Sequence, residues 1–107
     1  MKNYMIVRQR VGDLERFQDA FDALKPMRQK HGLTDLGQFQ AADDPMTVIV
    51  VMEVADVNLA KEYWQSEVLA RGRERAGVVG PIAAGTDQVW LTNGLVREAL
   101  AEAHPSP

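Results

Sequence analysis

The hydrophobic pattern of this chain changes period along its length. In some stretches apolar residues alternate with polar ones; in others they recur every three or four positions. The most apolar stretch, residues 47–54 (TVIVVMEV), barely alternates before Glu53. Six of its eight residues are apolar and four are valine, the composition of a strand buried on both faces. Residues 4–11 (YMIVRQRV) form a first strand, with Met5, Val7 and Val11 sharing one face with Gln9, and Ile6, Arg8 and Arg10 on the other. After Gly12, Asp13 is a good N-cap for a helix whose Leu14, Phe17, Phe21 and Leu24 make one apolar stripe. Pro26 predicts a break in that helix, and a further turn over residues 27–31 ends at Gly32.

A weaker strand follows over residues 33–40, with Leu33 and Phe39 expected on one face and Leu36 on the other. Residues 41–46 (AADDPM) carry the chemistry of a hairpin turn. Asp56 or Asn58 caps a second helix with Leu59, Tyr63, Val68 and Leu69 as inward candidates, and Ser66 starts a second segment of it at a bend. Residues 77–81 (GVVGP) read as a loop. A last strand within residues 82–92 is best defined at 88–92, with Val89 and Leu91 opposite Trp90. Residues 95–104 suit a short peripheral helix before a frayed Pro-Ser-Pro end. The order β-α-β-β-α-β predicts an α+β, ferredoxin-like domain over residues 1–94 with a four-stranded antiparallel sheet, and a separate tail over 95–107. Two helices cover one face of that sheet. A chain of 107 residues has few parts to spare for the other, so a homodimer is expected.

Composition narrows the function without naming it. Twelve Lys and Arg against fifteen Asp and Glu give a net charge of −3, which argues against a general nucleic-acid binder. The chain has no cysteine, so disulfides, thiolate nucleophiles and Cys-based metal sites are excluded. With two histidines and no pair at ligand spacing, no metal site is expected. No apolar run approaches the ~20 residues of a membrane span and no signal-peptide pattern opens the chain, so a cytoplasmic protein without membrane contact is expected.

The runs FDALKPMRQKHG, ADDP and RAGVVGP resemble the dimeric α/β-barrel superfamily, within it the small proteins grouped with antibiotic biosynthesis monooxygenases. The resemblance spans residues 4–92. It implies two sheets closing face to face into a barrel and a ligand cavity between each sheet and its helices. Members of that superfamily include cofactor-free oxygenases of electron-rich aromatics, haem-degrading oxygenases, lactone isomerases and dehydratases. The haem branch carries an iron-ligating histidine where this chain has about Arg73, and its first-strand asparagine has no match within residues 6–9. Haem degradation is therefore not expected, and no cofactor is implied.

Candidate chemistry is sparse. His104 sits in the tail. His31 ends the first helix, where an exposed imidazole near the C-terminus outweighs a pocket acid or base. Glu53 interrupts an apolar run: either it is a desolvated general base, or, with more weight, it pairs with Arg8 or Arg10 on the neighbouring strand. Phe21, Tyr63, Trp64 and Trp90 are candidate walls for a flat apolar ligand, although each taken singly is more often plain core. Tyr63 and Trp64 lie about 100° apart on a helix, so both are not expected to point fully inward. Arg71 pairs with Glu67 on a solvated face, and helical geometry sets Arg73 opposite Arg71 and Arg75, so the three do not form a phosphate site. Two functions remain: a protein that binds a small apolar or aromatic metabolite, with cofactor-free oxygenase or isomerase activity, or a non-catalytic dimeric ligand-binding or interaction module.

Overall fold

A computed structural model gives the fold; it describes residues 2–79 and 89–92, together with Gly94 and Val96. Strand β1 (Asn3–Val11) leads through helices α1 (Leu14–Ala23) and α2 (Lys25–Lys30) to strand β2 (Leu33–Ala41). A tight turn at Ala42 and Asp43 returns the chain along β3 (Asp44–Val54). Helices α3 (Val57–Trp64) and α4 (Glu67–Ala76) then cross to β4 (Val78–Val79) and β5 (Val89–Thr92). Every pairing is antiparallel, in the order β2-β3-β1-β4. β5 also pairs with β1, at Tyr4–Val7, while β4 pairs at Arg10 and Val11. Both occupy one edge position, so the sheet is four strands wide, in the expected ferredoxin-like arrangement.

Sequence signals account for the element ends. Asp13 accepts a hydrogen bond from Arg16 N (3.1 Å), Asp56 from Asn58 N (2.8 Å) and Leu59 N, and Ser66 from Leu69 N (3.2 Å), each capping donors that the first turn leaves unmet. Pro26 sits in the first turn of α2, where its missing N–H costs nothing, and α1 therefore ends at Ala23. Gly32, at φ +72°, takes the left-handed position after α2. The GVV segment is only partly loop: Val78 and Val79 join β1 as β4.

The core lies between the sheet and the helices. Met5, Val7 and Val11 of β1 face Val48, Val50, Met52 and Val54 of β3, and Val89 completes the layer. Above them pack Phe17 and Leu24 of the first crossover, then Ala60, Tyr63, Trp64, Leu69 and Ala76 of the second. Leu59 and Val68, expected inward, are exposed. Tyr63 and Trp64, expected to compete for the interior, are both buried, at 3% and 9% exposure. Trp64 is the last residue of α3, and the turn into α4 brings Arg73 over its ring, 5.7 Å from the ring centre. The helix expected over 95–104 and the strand residues before Val89 lie outside the described residues, Val96 excepted.

A bulge in β2 changes its facing. Pairing with β3 shifts between Asp35 and Gly37, so the residues after it swap sides. Leu33 is buried toward the helices, whereas Phe39 stands on the opposite face at 57% exposure, not on the face of Leu33 as period two predicts. Leu36 in the bulge is 52% exposed. Together with Ile6, Ile49, Val51 and Trp90 they make the far face of the sheet largely apolar, while α1, α3 and α4 pack on the other side.

Candidate functional site

Alternation aims Val7 and Gln9 of β1, and Val50 and Met52 of β3, at the helices. Opposite them stand Phe21 and Leu24 from the first crossover and Tyr63, Trp64, Gly72 and Arg73 from the second. What remains between is an apolar cavity of about 40 Å³. That is room for a few waters at most; cavities of ~150 Å³ are the scale that accepts a benzene ring. Gly72 sets part of this tightness. A Cβ there would lie 2.5 Å from Leu24 Cδ1, so any larger residue requires Leu24 to shift.

The polar groups of the cavity are few. Gln9 Oε1 is buried and has no hydrogen-bond partner among the described residues. Arg28, buried, is held by Asp35 in a two-pronged ion pair, Nε to Oδ1 and Nη2 to Oδ2, both at 2.9 Å. Its Nη1 donates to Phe21 O at 2.6 Å, and its guanidinium stacks 3.6 Å from the Phe21 ring centre. Burial pushes the Tyr63 hydroxyl above its usual pKa, an effect that the nearby Arg28 charge opposes. Burial also lowers the pKa of Arg73. Arg73 lines the cavity, on the side of the helix opposite Arg71 and Arg75 as its spacing predicts, and Glu67 and Arg71 pair on the solvated face at 3.6 Å.

Of the sequence candidates, Phe21, Tyr63 and Trp64 line the cavity together. Trp90 does not: it is paired with Ile6 on the opposite side of the sheet and is 42% exposed. His31 stands behind Tyr63, its ring centre 5.5 Å away, and Nδ1 lies 2.8 Å from Met27 O. Because a carbonyl only accepts, Nδ1 carries the proton and Nε2 is the basic nitrogen. Glu53 is across the sheet from the cavity, and its ion-pair partner is Lys2 (3.9 Å), not Arg8 or Arg10. Arg10 instead meets Asp44 at 3.2 Å. Asp44 also accepts from Thr47 Oγ1 and Met46 N, which hold its carboxyl below the usual range. Among the described residues, the cavity's lining therefore contains no carboxylate and no imidazole. Gln9, Arg28 and Arg73 were not singled out as site residues. A signal existed for Gln9, a polar side chain set between Val7 and Val11 on the apolar inward face of β1.

No protein-family profile matches the sequence, and no curated protein matches it. Solved structures do. A protein of Bordetella bronchiseptica, provisionally designated an antibiotic biosynthesis monooxygenase, superposes with a TM-score of 0.69 at 15% identity, over 89% of this chain and 98% of that one. One of the same provisional designation from Nitrosomonas europaea gives 0.64 at 17% identity, over 89% and 91%. A third, from Caulobacter crescentus, gives 0.63 at 12%, over 88% and 90%. This chain has their fold. At these identities the likeness reaches the fold and stops short of the chemistry.

Proposed function

We propose that the protein is a homodimer of the antibiotic biosynthesis monooxygenase-like type that binds a small apolar or aromatic metabolite between the sheet and the helices of each protomer. The observation that carries this is the cavity itself, walled by Phe21, Tyr63 and Trp64 and furnished with a buried oxygen, Gln9 Oε1, that is unmet among the described residues. Leaving that oxygen unpaired costs about 1–3 kcal/mol, which a ligand hydroxyl or N–H would recover. The guanidinium groups of Arg28 and Arg73 suit a substrate whose oxygen gains negative charge, as a phenol does on ionising before it reacts with oxygen. In this reading no cofactor takes part. His31, one ring behind Tyr63, is the nearest candidate base, and Glu53 and Trp90 belong to the other face.

A second reading, a non-catalytic ligand-sensing or interaction module, is favoured by the cavity's 40 Å³ volume and by walls that, among the described residues, hold no carboxylate or imidazole. One experiment separates the two. Quinols, phenols and lactones are screened by thermal shift, and each binder is then followed for oxygen uptake. A ligand at a hundred times its Kd stabilises by about 2.7 kcal/mol. Gln9→Leu is expected to abolish that shift while leaving the unliganded melting temperature equal or higher. Binding without oxygen uptake selects the module, and no shift with any compound class removes the cavity as a ligand site.

A further inference from the structure

The open face of the sheet is ordered in rows across the paired strands. Thr34, Glu53, Tyr4 and Thr92 form the first; Gly37, Val51, Ile6 and Trp90 the second; Phe39, Ile49 and Arg8 the third; Thr47 and Arg10 the fourth. Leu36 bulges beside the second row. An apolar band is thus bounded at one end by the Glu53 carboxylate and at the other by two guanidinium groups. Arg10 is engaged by Asp44, but Arg8 has no ion-pair partner among the described residues. Among the described residues Glu53 pairs only with Lys2, a long contact between an exposed and a half-buried group, of the kind that contributes little.

Resting on the homodimer reading, the geometry points to one arrangement of the two copies: a two-fold axis that crosses the strands over the Ile6–Val51 row, so that Arg8 of each protomer pairs with Glu53 of the other. The register places Arg8 and Glu53 four residues apart along the ladder, about 13 Å, with the Ile6–Val51 row midway. Rotation about an axis over that row lays the apolar band on its copy and brings the acidic end of one sheet to the basic end of its partner. An axis along the strands also overlays the bands, but it sets Glu53 against Glu53 and Arg8 against Arg8, and like charges facing one another disfavour that alignment. The occupant is a second copy because one surface supplies both halves of the complementarity, as an isologous contact requires.

Sedimentation of the full chain and its charge reversals tests this. Arg8→Glu alone and Glu53→Arg alone are each expected to raise the dimer Kd at least ~tenfold, and the double variant R8E/E53R to return it to within about threefold of the wild type. An equal mixture of the two single variants is expected to form heterodimers of wild-type strength, since each unlike pair then meets its complement. Both side chains are solvent-facing, and circular dichroism of each variant confirms that the protomer fold persists. A wild type that stays monomeric at micromolar concentration overturns the homodimer reading and this inference with it. A wild-type dimer whose Kd is unmoved by the single reversals, or not recovered in the double variant, leaves the homodimer standing and overturns the Arg8–Glu53 orientation.

Discussion

Burying a guanidinium costs several kcal/mol unless its donors are met. Arg28 meets that condition through Asp35, the Phe21 carbonyl and the Phe21 ring, so one side chain ties the α1–α2 break to the strand just before its bulge. The two partners differ in their access to water: Arg28 is buried, while the side chain of Asp35 is 28% exposed. Their removals should therefore differ. Arg28→Met leaves a carboxylate that can hydrate, and a loss of about 1–2 kcal/mol is expected. Asp35→Ala strands a buried cation, and about 3–5 kcal/mol is expected. Urea denaturation of both variants measures the difference; equal losses would show that the ion pair is not what holds Arg28. No spacing rule marks this pair in the sequence, because the contact depends on how a helix end meets a strand in three dimensions.

At the level of elements, much was legible where a residue's local chemistry decides its conformation. Asp13, Asp56 and Ser66 start helices because their oxygens accept from the first turn, and Pro26 ends one because it has no N–H to give. What failed was parity and packing. Period two put Phe39 with Leu33, and the bulge at Asp35–Gly37 moved it to the far face; an inserted residue leaves no trace in alternation. Trp90 was correctly set opposite Val89 and Leu91, yet which of those faces met the helices was not written in the pattern. The close approach of α1 to α4 was invisible too. Arg16 spans it, donating through Nη2 to Glu74 O (3.1 Å) and through Nε to Arg75 O, and Gly72 leaves room for Leu24 within it. Gly72→Ala would gain about 1 kcal/mol of helix propensity but drive a methyl into Leu24, an overpacking cost of about 1–3 kcal/mol. A net loss of stability is expected, with recovery in G72A/L24V, where the crowded branch is shortened. Thermal denaturation of the single and double variants decides it; a more stable G72A would mean that Leu24 turns aside without cost.

For the whole molecule, the decisive imbalance is between the two faces of one sheet. Val50 and Met52 of β3 are sealed under the helices, while Ile49 and Val51, which alternate with them, share the other face with Phe39, Leu36 and Trp90, these last three more than two-fifths exposed. Large contiguous apolar exposure on a soluble domain marks an association surface. If a second copy supplies the cover, association and folding are linked: the dimer binds no part of the unfolded chain, so the melting temperature rises with protein concentration. A lysine placed at Ile49 would sit inside the interface, where an unpaired charge is expensive to desolvate. In the isolated protomer the same lysine would simply face water. Ile49→Lys is therefore expected to remove the concentration dependence and lower the melting temperature to that of a lone protomer, with the helix content retained. Melting curves over a hundredfold dilution series, run in parallel on wild type and variant, provide the measurement. A wild-type melting temperature flat across that series would mean that the open face stays open, and the valine-rich strand would then be stable with only one side covered.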